Sequence, residues 1–230
     1  MIKKNDFIEI EYTAKVKETG MIFDTTSETI AKKEEINRDG MIYGPVVICV
    51  GEAHVLQGLD NALVGKETGK EYNIDLVPEN AFGKKSAKMV QLIATNKFTK
   101  EGIQPQVGLQ INIDGMLGTI KTVTGGRTLV DFNHPLAGQD VVYTVKINRI
   151  VTDTGEKVQG LVNLQFGRGN TKVEHKDGEI TIRHNNDLPK EFEQKLSDHL
   201  HLLIKDIKKV VFVKEGIKKE ESKKEVKTSA

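Results

Sequence analysis

The chain has little of what several classes of protein depend on. It contains one cysteine, Cys49, and six histidines among 230 residues. A single cysteine cannot form an internal disulfide and the histidines are scattered, so a disulfide-stapled secreted scaffold and a Cys/His zinc module are both excluded. This cysteine usage favours a reducing compartment. The net charge is only +1, so no overall field attracts nucleic acid or an anionic membrane surface.

Long apolar segments are also missing. No run of about 18 apolar residues occurs, and the N-terminus leads directly into an alternating segment without a signal-peptide core. We therefore expect a cytoplasmic protein with no membrane partner. What the chain does contain, 37% hydrophobic and 29% charged residues, is typical of a globular protein. Its length allows either one large domain or two to three small ones.

The N-terminal part of the sequence predicts a strand-rich domain with one short helix. Residues 8–16 alternate apolar and polar side chains with a period of two, which indicates a strand with one buried face and with Tyr12 pointing inward. Residues 54–64 place their leucines on one helical face, and Gly65 follows where a glycine cap ends a helix. Further strands are predicted at 21–24, 45–51 and 72–77, with a long polar excursion at 25–40.

The middle of the chain changes character twice. Residues 85–127 consist of short apolar pieces separated by glycine and proline, a pattern typical of a small all-β unit. Residues 128–132 and 139–151 regain strong strand character. We therefore expect the small unit to be inserted into the larger domain.

A further domain is predicted after a linker at 153–156. An apolar piece at 161–166 is followed by a hairpin turn at 176–179 and by a helix that begins near Pro189. A last strand at 210–213 completes a β-β-α-β order. A unit this small has a limited core, so we expect a homodimer formed through its apolar helix and last strand. From residue 214 onward, blocks of Lys and Glu with almost no apolar content indicate a flexible charged tail.

The usual templates for metal, phosphate or nucleophilic catalysis do not fit. The run Gly65-Lys66-Glu67 lacks the glycine spacing of a phosphate loop and has Glu where Ser or Thr would hold magnesium. His199 and His201 are two residues apart on the predicted helix and face different ways, so they cannot chelate one metal. Cys49 lies in an apolar strand with no base beside it, which favours a core residue over a nucleophile. We therefore predict no metal and no cofactor.

What remains is a set of mostly apolar side chains contributed by several strands and one helix start. Its members are Tyr12, Phe23, Asp24, Val55, Leu56, Leu59, Phe82 and Tyr143. One interpretation is that all of them form core, because most of these residue types are usually buried. Two features favour a pocket instead. Asp24 is a carboxylate in an apolar strand and needs a partner, and Leu59 and Phe82 fall at the edges of their elements.

Three short motifs occur in a fixed order: Phe23-Asp24, then Gly51 to Leu59 (GEAHVLQGL), then Ala81-Phe82-Gly83. Together they resemble the signature of the FK506-binding protein (FKBP) family of peptidyl-prolyl isomerases. The insertion, followed by Asn133 to Gly138 (NHPLAG), resembles the SlyD-like branch, which carries an insert-in-flap chaperone domain. The C-terminal extension is similar to that of the archaeal long-chain form. The likeness covers residues 1–152 and, weakly, the rest.

The resemblance implies an α+β fold whose main domain is an antiparallel half-barrel around a short helix. That domain would comprise residues 1–84 and 128–152, with the chaperone domain inserted at 85–127. An α+β domain at 155–213 and the tail at 214–230 would follow. A substrate proline would rest in a pocket lined by the eight residues named above, and no nucleophile or metal would be needed. The Val55 N–H and Leu56 would anchor the flanking peptide, while Asp24 would orient Tyr12 or hydrogen-bond to the substrate.

Three departures from the family pattern carry their own expectations. Leu59 stands where many members have Trp, so the pocket floor would be shallow and FK506-like macrolides would bind only weakly. Phe82 stands where many members have Tyr, which removes one hydroxyl that could bind a substrate carbonyl. Some SlyD-like members end in a His/Cys-rich nickel-binding tail, whereas this sequence ends in Lys and Glu, so metal binding is not expected.

The expected function is prolyl isomerisation combined with chaperone activity toward unfolded or nascent proteins. A unit as small as the insert cannot bury all its apolar side chains, so some of them would bind clients: Met89, Leu92, Ile93, Phe98, Leu109, Met116 and Ile120. A plain β core with little exposed is the alternative for the insert. The alternative for the whole chain is a non-catalytic holdase that grips proline-containing segments. A nucleic-acid contact through the Lys-rich tail is disfavoured because interleaved Glu nearly cancels its charge.

Overall fold

A computed structural model gives an α+β protein and describes residues 1–215. The flexible tail predicted from residue 214 lies outside the described residues from position 216 onward. The strands are β1 Phe7–Val16, β2 Ile22–Thr25, β3 Val46–Cys49, β4 Glu71–Leu76, β5 Val90–Ala94, β6 Gln110–Ile113, β7 Met116–Thr124, β8 Arg127–Asp131, β9 Val141–Ile150, β10 Thr171–Lys176, β11 Glu179–His184 and β12 Lys209–Lys214. The helices are α1 Glu28–Lys33, α2 Gln57–Leu63, α3 Thr95–Lys100, α4 Thr154–Phe166 and α5 Lys190–Leu203, with short 3₁₀ turns at Pro78–Asn80 and Ala87–Met89.

The first sheet is antiparallel and has β1 at its centre. One edge of β1 pairs with β9, which continues to β4, and the other edge is shared by β2 and β3. The alternation in β1 places Ile8, Ile10 and Ala14 in the core, each with no exposed surface. Leu59 and Leu63 of α2 are buried in the same cluster, which stabilises the helix on the sheet by about 1.5–3 kcal/mol per side chain. The predicted half-barrel around a short helix is therefore present.

Two contacts of α2 fix the loops on either side of it. Asp60 is buried, and its carboxylate accepts hydrogen bonds from the backbone N–H groups of Gly51 and Ala53 at 2.9 to 3.0 Å. This holds the loop that carries residues 54–56. Gly58 packs against the 3₁₀ turn, since a Cβ there would lie 2.8 Å from the Cβ of Asn80. The turn is thereby positioned directly before residues 81–83.

One helix lies inside the polar excursion predicted at 25–40. Helix α1 begins after Ser27, whose side chain accepts a hydrogen bond from the Ile30 N–H, and Ala31 is its one buried residue. Six residues with a single buried side chain show no helical period, so the sequence pattern did not reveal it.

The second sheet has the strand order β5-β8-β7-β6 and is entirely antiparallel. Its core contains Phe98, Ile111, Ile120, Val130 and Phe132. The prediction of an all-β unit is wrong in one respect, because α3 supplies Phe98 to this core. The placement of residues 128–132 in the main domain is also contradicted. Strand β8 pairs with β5 and β7, so it belongs to the sheet of the inserted unit.

The base of the inserted unit is closed by two residues. The Asn133 side chain accepts a hydrogen bond from the Ser86 N–H at 2.8 Å and donates one to the Ser86 carbonyl at 3.1 Å. Close by, the Gly138 N–H donates to the Gly83 carbonyl at 2.8 Å. We refer to residues 87–132, which lie between the paired Ser86 and Asn133, as the insert.

The C-terminal part is α+β and its sheet has the order β10-β11-β12, with β11 and β12 parallel. The linker predicted at 153–156 and the apolar piece at 161–166 are instead one helix, α4. Asp153 caps it by accepting a hydrogen bond from the Glu156 N–H at 2.8 Å. Glycines at 155 and 160 weaken the helical signal of this segment, which explains the missed helix.

The core of the C-terminal part is not separate from the first sheet. Phe7 and Cys49 belong to the same buried cluster as Val158, Leu161 and Val162 of α4. The contact depends on Gly160, because a Cβ there would lie 2.6 Å from the Cβ of Val47. Helix α4 therefore sits directly on β3.

The structure restricts where a second copy could dock on the C-terminal part. Leu196 and Leu200, on the apolar face of α5, are buried in the chain's own core, so this face is not free to form the dimer contact predicted for it. Strand β12 lies at an edge of its sheet. Dimerisation through β12 stays a prediction, which the molecular mass in solution tests.

Candidate active site

Seven of the eight residues predicted for the site line one open pocket of about 700 Å³ beside the first sheet. They are Tyr12, Phe23, Asp24, Val55, Leu56, Phe82 and Tyr143. The eighth, Leu59, has no exposed surface and packs in the core, so it does not line the pocket. The seven lining residues come from three strands and two loops that are distant in the sequence, and the strands meet here because β1 pairs with both β2 and β9.

The carboxylate of Asp24 has the partner that its position in an apolar strand requires. The Tyr12 hydroxyl donates a hydrogen bond to Asp24 Oδ2 at 2.9 Å. Burial, the negative charge of Asp24 and this hydrogen bond all raise the pKa of Tyr12 far above its usual value. Two roles were expected for Asp24, and the hydrogen bond needed for one of them, orienting Tyr12, is present.

Tyr143 is the second phenol of the pocket. Its ring centroid lies 5.7 Å from that of Tyr12. Burial raises its pKa well above the ordinary value, and the nearby Asp24 charge adds to the effect. Both phenols are therefore neutral hydrogen-bond donors near neutral pH.

The apolar wall of the pocket is a chain of aromatic contacts. Phe23 meets Phe82 edge to face at 5.5 Å and Tyr143 at 6.1 Å between ring centroids. The imidazole of His134 stacks on Phe82 at 4.6 Å with an interplanar angle of 3°. These contacts hold the rings in fixed orientations around a space open to solvent.

Several lining residues were not predicted as site residues. They are Met21, Arg38, Met41, His54, His134, Pro135 and Leu136. His134 to Leu136 belong to the NHPLAG segment, which was noted for its resemblance but carries no periodicity that places it beside Phe82. The others lie on loops, where sequence patterns say little about spatial neighbours.

The surroundings of His54 on the pocket wall favour its neutral form. Its Nδ1 accepts a hydrogen bond from the Cys49 N–H at 3.1 Å. Burial lowers the pKa of His54 and the proximity of His199 on α5 lowers it further, while Glu52 and Asp60 act in the opposite direction. A protonated Nδ1 could no longer accept the hydrogen bond, so acid should loosen this wall.

We expect the free energy of unfolding to fall between about pH 7.5 and about pH 5, partly through His54. Folding lowers the pKa of this histidine, so its contribution to stability is fully present above the pKa of the unfolded state. That contribution is lost as the pH falls through the lower pKa of the folded state. Asn at position 54 offers a non-titrating acceptor near the place of Nδ1. In urea titrations at both pH values, His54→Asn should lose less stability than the wild type. An equal loss in the two proteins would show that His54 has no part in the acid response.

Neither a reactive cysteine nor a metal site is found among residues 1–215. Cys49 is buried, and burial raises the pKa of its thiol to about 12, which confirms the prediction of a core residue. Within residues 1–215, no group of three or more His, Cys, Asp or Glu side chains is arranged to hold a metal ion. In the same part of the chain, no helix combines the length and apolar character that crossing a membrane requires.

The residues predicted to bind clients are divided between the surface and the core of the insert. Met89, Leu92, Leu109 and Met116 are exposed. Ile93 is half-buried, and Phe98 and Ile120 are buried in the core of the second sheet, so the prediction that these last two bind clients is contradicted. Val107 and Leu117, which were not among the predicted residues, are 70% and 59% exposed.

The chain is similar in sequence to known peptidyl-prolyl cis-trans isomerases. Residues 91–136, most of them in the insert, match the family described as "FKBP26, IF domain". The chain is 31% identical over 150 residues to the short-type peptidyl-prolyl cis-trans isomerase of Methanocaldococcus jannaschii, covering 65% of this chain and 94% of the relative. It is 34% identical over 111 residues to the FKBP-type 16 kDa peptidyl-prolyl cis-trans isomerase of Escherichia coli K12, covering 46% and 74%.

Two further similarities have lower sequence identity. The FKBP-type peptidyl-prolyl cis-trans isomerase SlyD of Vibrio cholerae is 25% identical over 162 residues, covering 68% of this chain and 72% of the relative. The solved N-terminal domain of FKBP42 from Arabidopsis thaliana is 14% identical, and the match covers 66% of this chain and 76% of that chain with a TM-score of 0.34. Because the Methanocaldococcus relative aligns over nearly its whole length, the chain belongs to the FKBP-type peptidyl-prolyl cis-trans isomerases.

Proposed function

We propose that the aromatic pocket is where this isomerase acts on X-Pro bonds, and that the insert binds unfolded protein clients and brings their prolines to that pocket. The observation that carries the proposal is the pocket itself. Seven residues chosen from the sequence line one concave, largely apolar space that contains two neutral phenols and a single carboxylate. Such a space suits a proline ring and offers no activated nucleophile.

The chemistry needs no covalent step. An X-Pro bond isomerises over a barrier of about 18–20 kcal/mol because amide resonance must be broken, and it exchanges unaided in tens to hundreds of seconds. The planar amide is more charge-separated than the twisted transition state, so an apolar pocket favours the transition state. Each tenfold acceleration requires only about 1.4 kcal/mol of such differential stabilisation.

The polar groups at the pocket would hold the peptide during rotation. Among the described residues, the hydroxyl of Tyr143 and the N–H of Val55 make no hydrogen bond within the protein, so both can donate to substrate carbonyls. Asp24 keeps the Tyr12 hydroxyl turned toward itself. The proposed roles are therefore orientation by Asp24, peptide anchoring at residues 55–56 and ring packing by the aromatic wall.

The chaperone role rests on apolar side chains that the insert leaves in solvent. Its core buries only five hydrophobic residues, whereas Leu92, Val107 and Leu117 are each more than half exposed. Exposed apolar side chains in so small a unit are typical of a surface that binds other chains. A client held there would present its prolines to the pocket at a raised local concentration.

Replacing Leu92 and Leu117 together with serine tests this role. Both side chains are exposed, so the fold should survive, while the loss of apolar contact area should weaken client binding by about tenfold. We expect the double variant to suppress aggregation of an unfolded client less well and to isomerise a short X-Pro peptide at the wild-type rate. Leu202→Ser, at a side chain of α5 that is 73% exposed, is the matched control.

Two results would separate this proposal from its alternatives. Unchanged aggregation suppression in the Leu92/Leu117 variant would remove these side chains from client binding. Strong suppression by a wild-type protein that does not turn over the peptide would favour the non-catalytic holdase.

A further inference from the structure

A second cavity, of about 520 Å³, lies next to the aromatic pocket. It is found where α4 faces β3 and the loop that precedes β3. We call it the α4 cleft. Residues that line it include Ile42, Val46, Val47, Asn163, Leu164 and Arg168. Its volume falls in the range of about 300–1,000 Å³ that is common for ligand sites. Of the residues that line it, only Tyr12 and Asp24 belong to the proposed catalytic set.

The α4 cleft and the aromatic pocket are adjacent. Tyr12, Asp24 and Met41 line both cavities. The insert, by contrast, leaves the main domain through the segments next to Phe82 and His134. The shared residues separate the two cavities, so a chain that leaves the aromatic pocket past Asp24 and Met41 would reach the α4 cleft.

The walls of the α4 cleft suit an apolar side chain. Met41, Ile42 and Leu164 are 48%, 55% and 40% exposed, although all three lie beside the cleft. The cleft also contains Arg149, whose charge is met by Glu9 at 3.1 Å and by Glu156 at 2.8 Å. The charge of Arg149 is therefore paired within the protein and does not disfavour an apolar ligand beside it.

Hydrogen-bond donors at the edge of the α4 cleft suit a peptide backbone. Among residues 1–215, Arg168 forms no ion pair, and its guanidinium lies against Gly44, where a Cβ would come within 2.7 Å of Nη1. The Asn163 side-chain oxygen accepts a hydrogen bond from Gln159 at 2.9 Å, which leaves its amide hydrogens without a partner in that part of the chain. Both groups could donate to carbonyls of a bound chain.

The position of α4 keeps the cleft open. Gly160 lets the helix sit on Val47, and a Cβ on Gly169 would lie 2.8 Å from Cδ1 of Ile42. Gly160 sets the distance from α4 to β3, and Gly169, in the turn after α4, sets the distance from that turn to the loop that carries Ile42. The α4 cleft is therefore part of the folded structure and needs no rearrangement to form.

We propose that the α4 cleft is an extended subsite for the polypeptide substrate, which takes an apolar residue of an unfolded chain a few residues away from the proline in the pocket. This proposal rests on the isomerase function proposed above. It predicts that substrates are selected by an apolar side chain at a distance from the reacting bond, in addition to contacts at the proline itself.

The test compares peptides of different length on the full chain. A tetrapeptide containing X-Pro is extended by five residues, about 17 Å when fully extended, toward either its N-terminus or its C-terminus. Each extension is made with serine throughout or with one leucine at successive positions. For one direction, we expect a leucine peptide with a KM about tenfold below that of its all-serine counterpart.

Variants in the α4 cleft show where that leucine binds. In Ile42→Ser/Leu164→Ser the advantage of the leucine peptide should disappear, while kcat/KM for the tetrapeptide stays at the wild-type value. Leu202→Ser should retain both. Equal KM values for the leucine and serine peptides in both directions would overturn the subsite, as would an advantage that survives in the double variant. Absence of tetrapeptide turnover by the wild type would instead overturn the isomerase proposal on which it rests.

Discussion

Replacing the insert by a short glycine linker is expected to slow the catalysed refolding of a proline-limited client by about 100-fold, with little change in the turnover of a tetrapeptide. The expected size follows from local concentration, since a client tethered near the pocket reaches its proline site about 10²–10⁴ times more effectively than a free one. A tetrapeptide is too short to use the insert and gains nothing from it.

The structure also determines where the cut belongs. Removing residues 87–132 leaves the paired Ser86 and Asn133 as a closed stem and keeps His134 stacked on Phe82. A cut that keeps β8 would leave a strand whose partners β5 and β7 are gone, and such an edge invites aggregation. Tetrapeptide turnover measured on the same preparation serves as the control. Equal refolding rates with and without the insert would contradict the division of roles.

Replacing Asp24 with alanine is expected to lower kcat/KM for a tetrapeptide by about 10- to 100-fold. The change removes the acceptor that orients the Tyr12 hydroxyl, and a hydrogen bond to a charged group in a partly buried site contributes about 1.5–3 kcal/mol. It also leaves the half-buried Tyr12 phenol without its partner. The measurement is peptide isomerisation at equal concentrations of folded protein.

A double-mutant cycle shows whether the pair acts as a unit. If Asp24 works through Tyr12, then Asp24→Ala and Tyr12→Phe should each lower the rate and their combination should cost little more than either one alone. Asp75→Ala, at an exposed aspartate of β4 whose ion pair is with Lys17, is the matched control and should leave the rate unchanged. Additive losses in the cycle would show that Asp24 acts on the substrate independently of Tyr12.

The sequence was most informative where a side-chain period could be read over several residues. The alternation of residues 8–16 predicted β1 and the inward direction of Tyr12, and the leucine spacing of α2 predicted a helix ending before Gly65. The motifs contain the other predicted site residues except Tyr143, which lies in the strand predicted at 139–151, and seven of the eight predicted residues line the pocket. Leu59 differs because its place in α2 turns its side chain into the core.

The sequence was least informative where a side chain meets a distant part of the chain. His134 stacks on Phe82 only because the two ends of the insert return to the same place. Helix α4 was missed because the glycine at 160, which weakens its helical signal, is required by the close approach to Val47. For the same reason the continuity of the C-terminal core with β1 and β3 could not be predicted from local pattern.

The account depends above all on isomerisation of an X-Pro bond in the aromatic pocket, and equilibrium NMR exchange of an unstructured X-Pro tetrapeptide measures this directly. With the wild-type chain present, we predict cis–trans exchange much faster than the tens to hundreds of seconds of the free peptide, and a lower rate with Tyr143→Leu. Exchange that stays at the uncatalysed rate in the presence of folded wild-type protein would contradict the account.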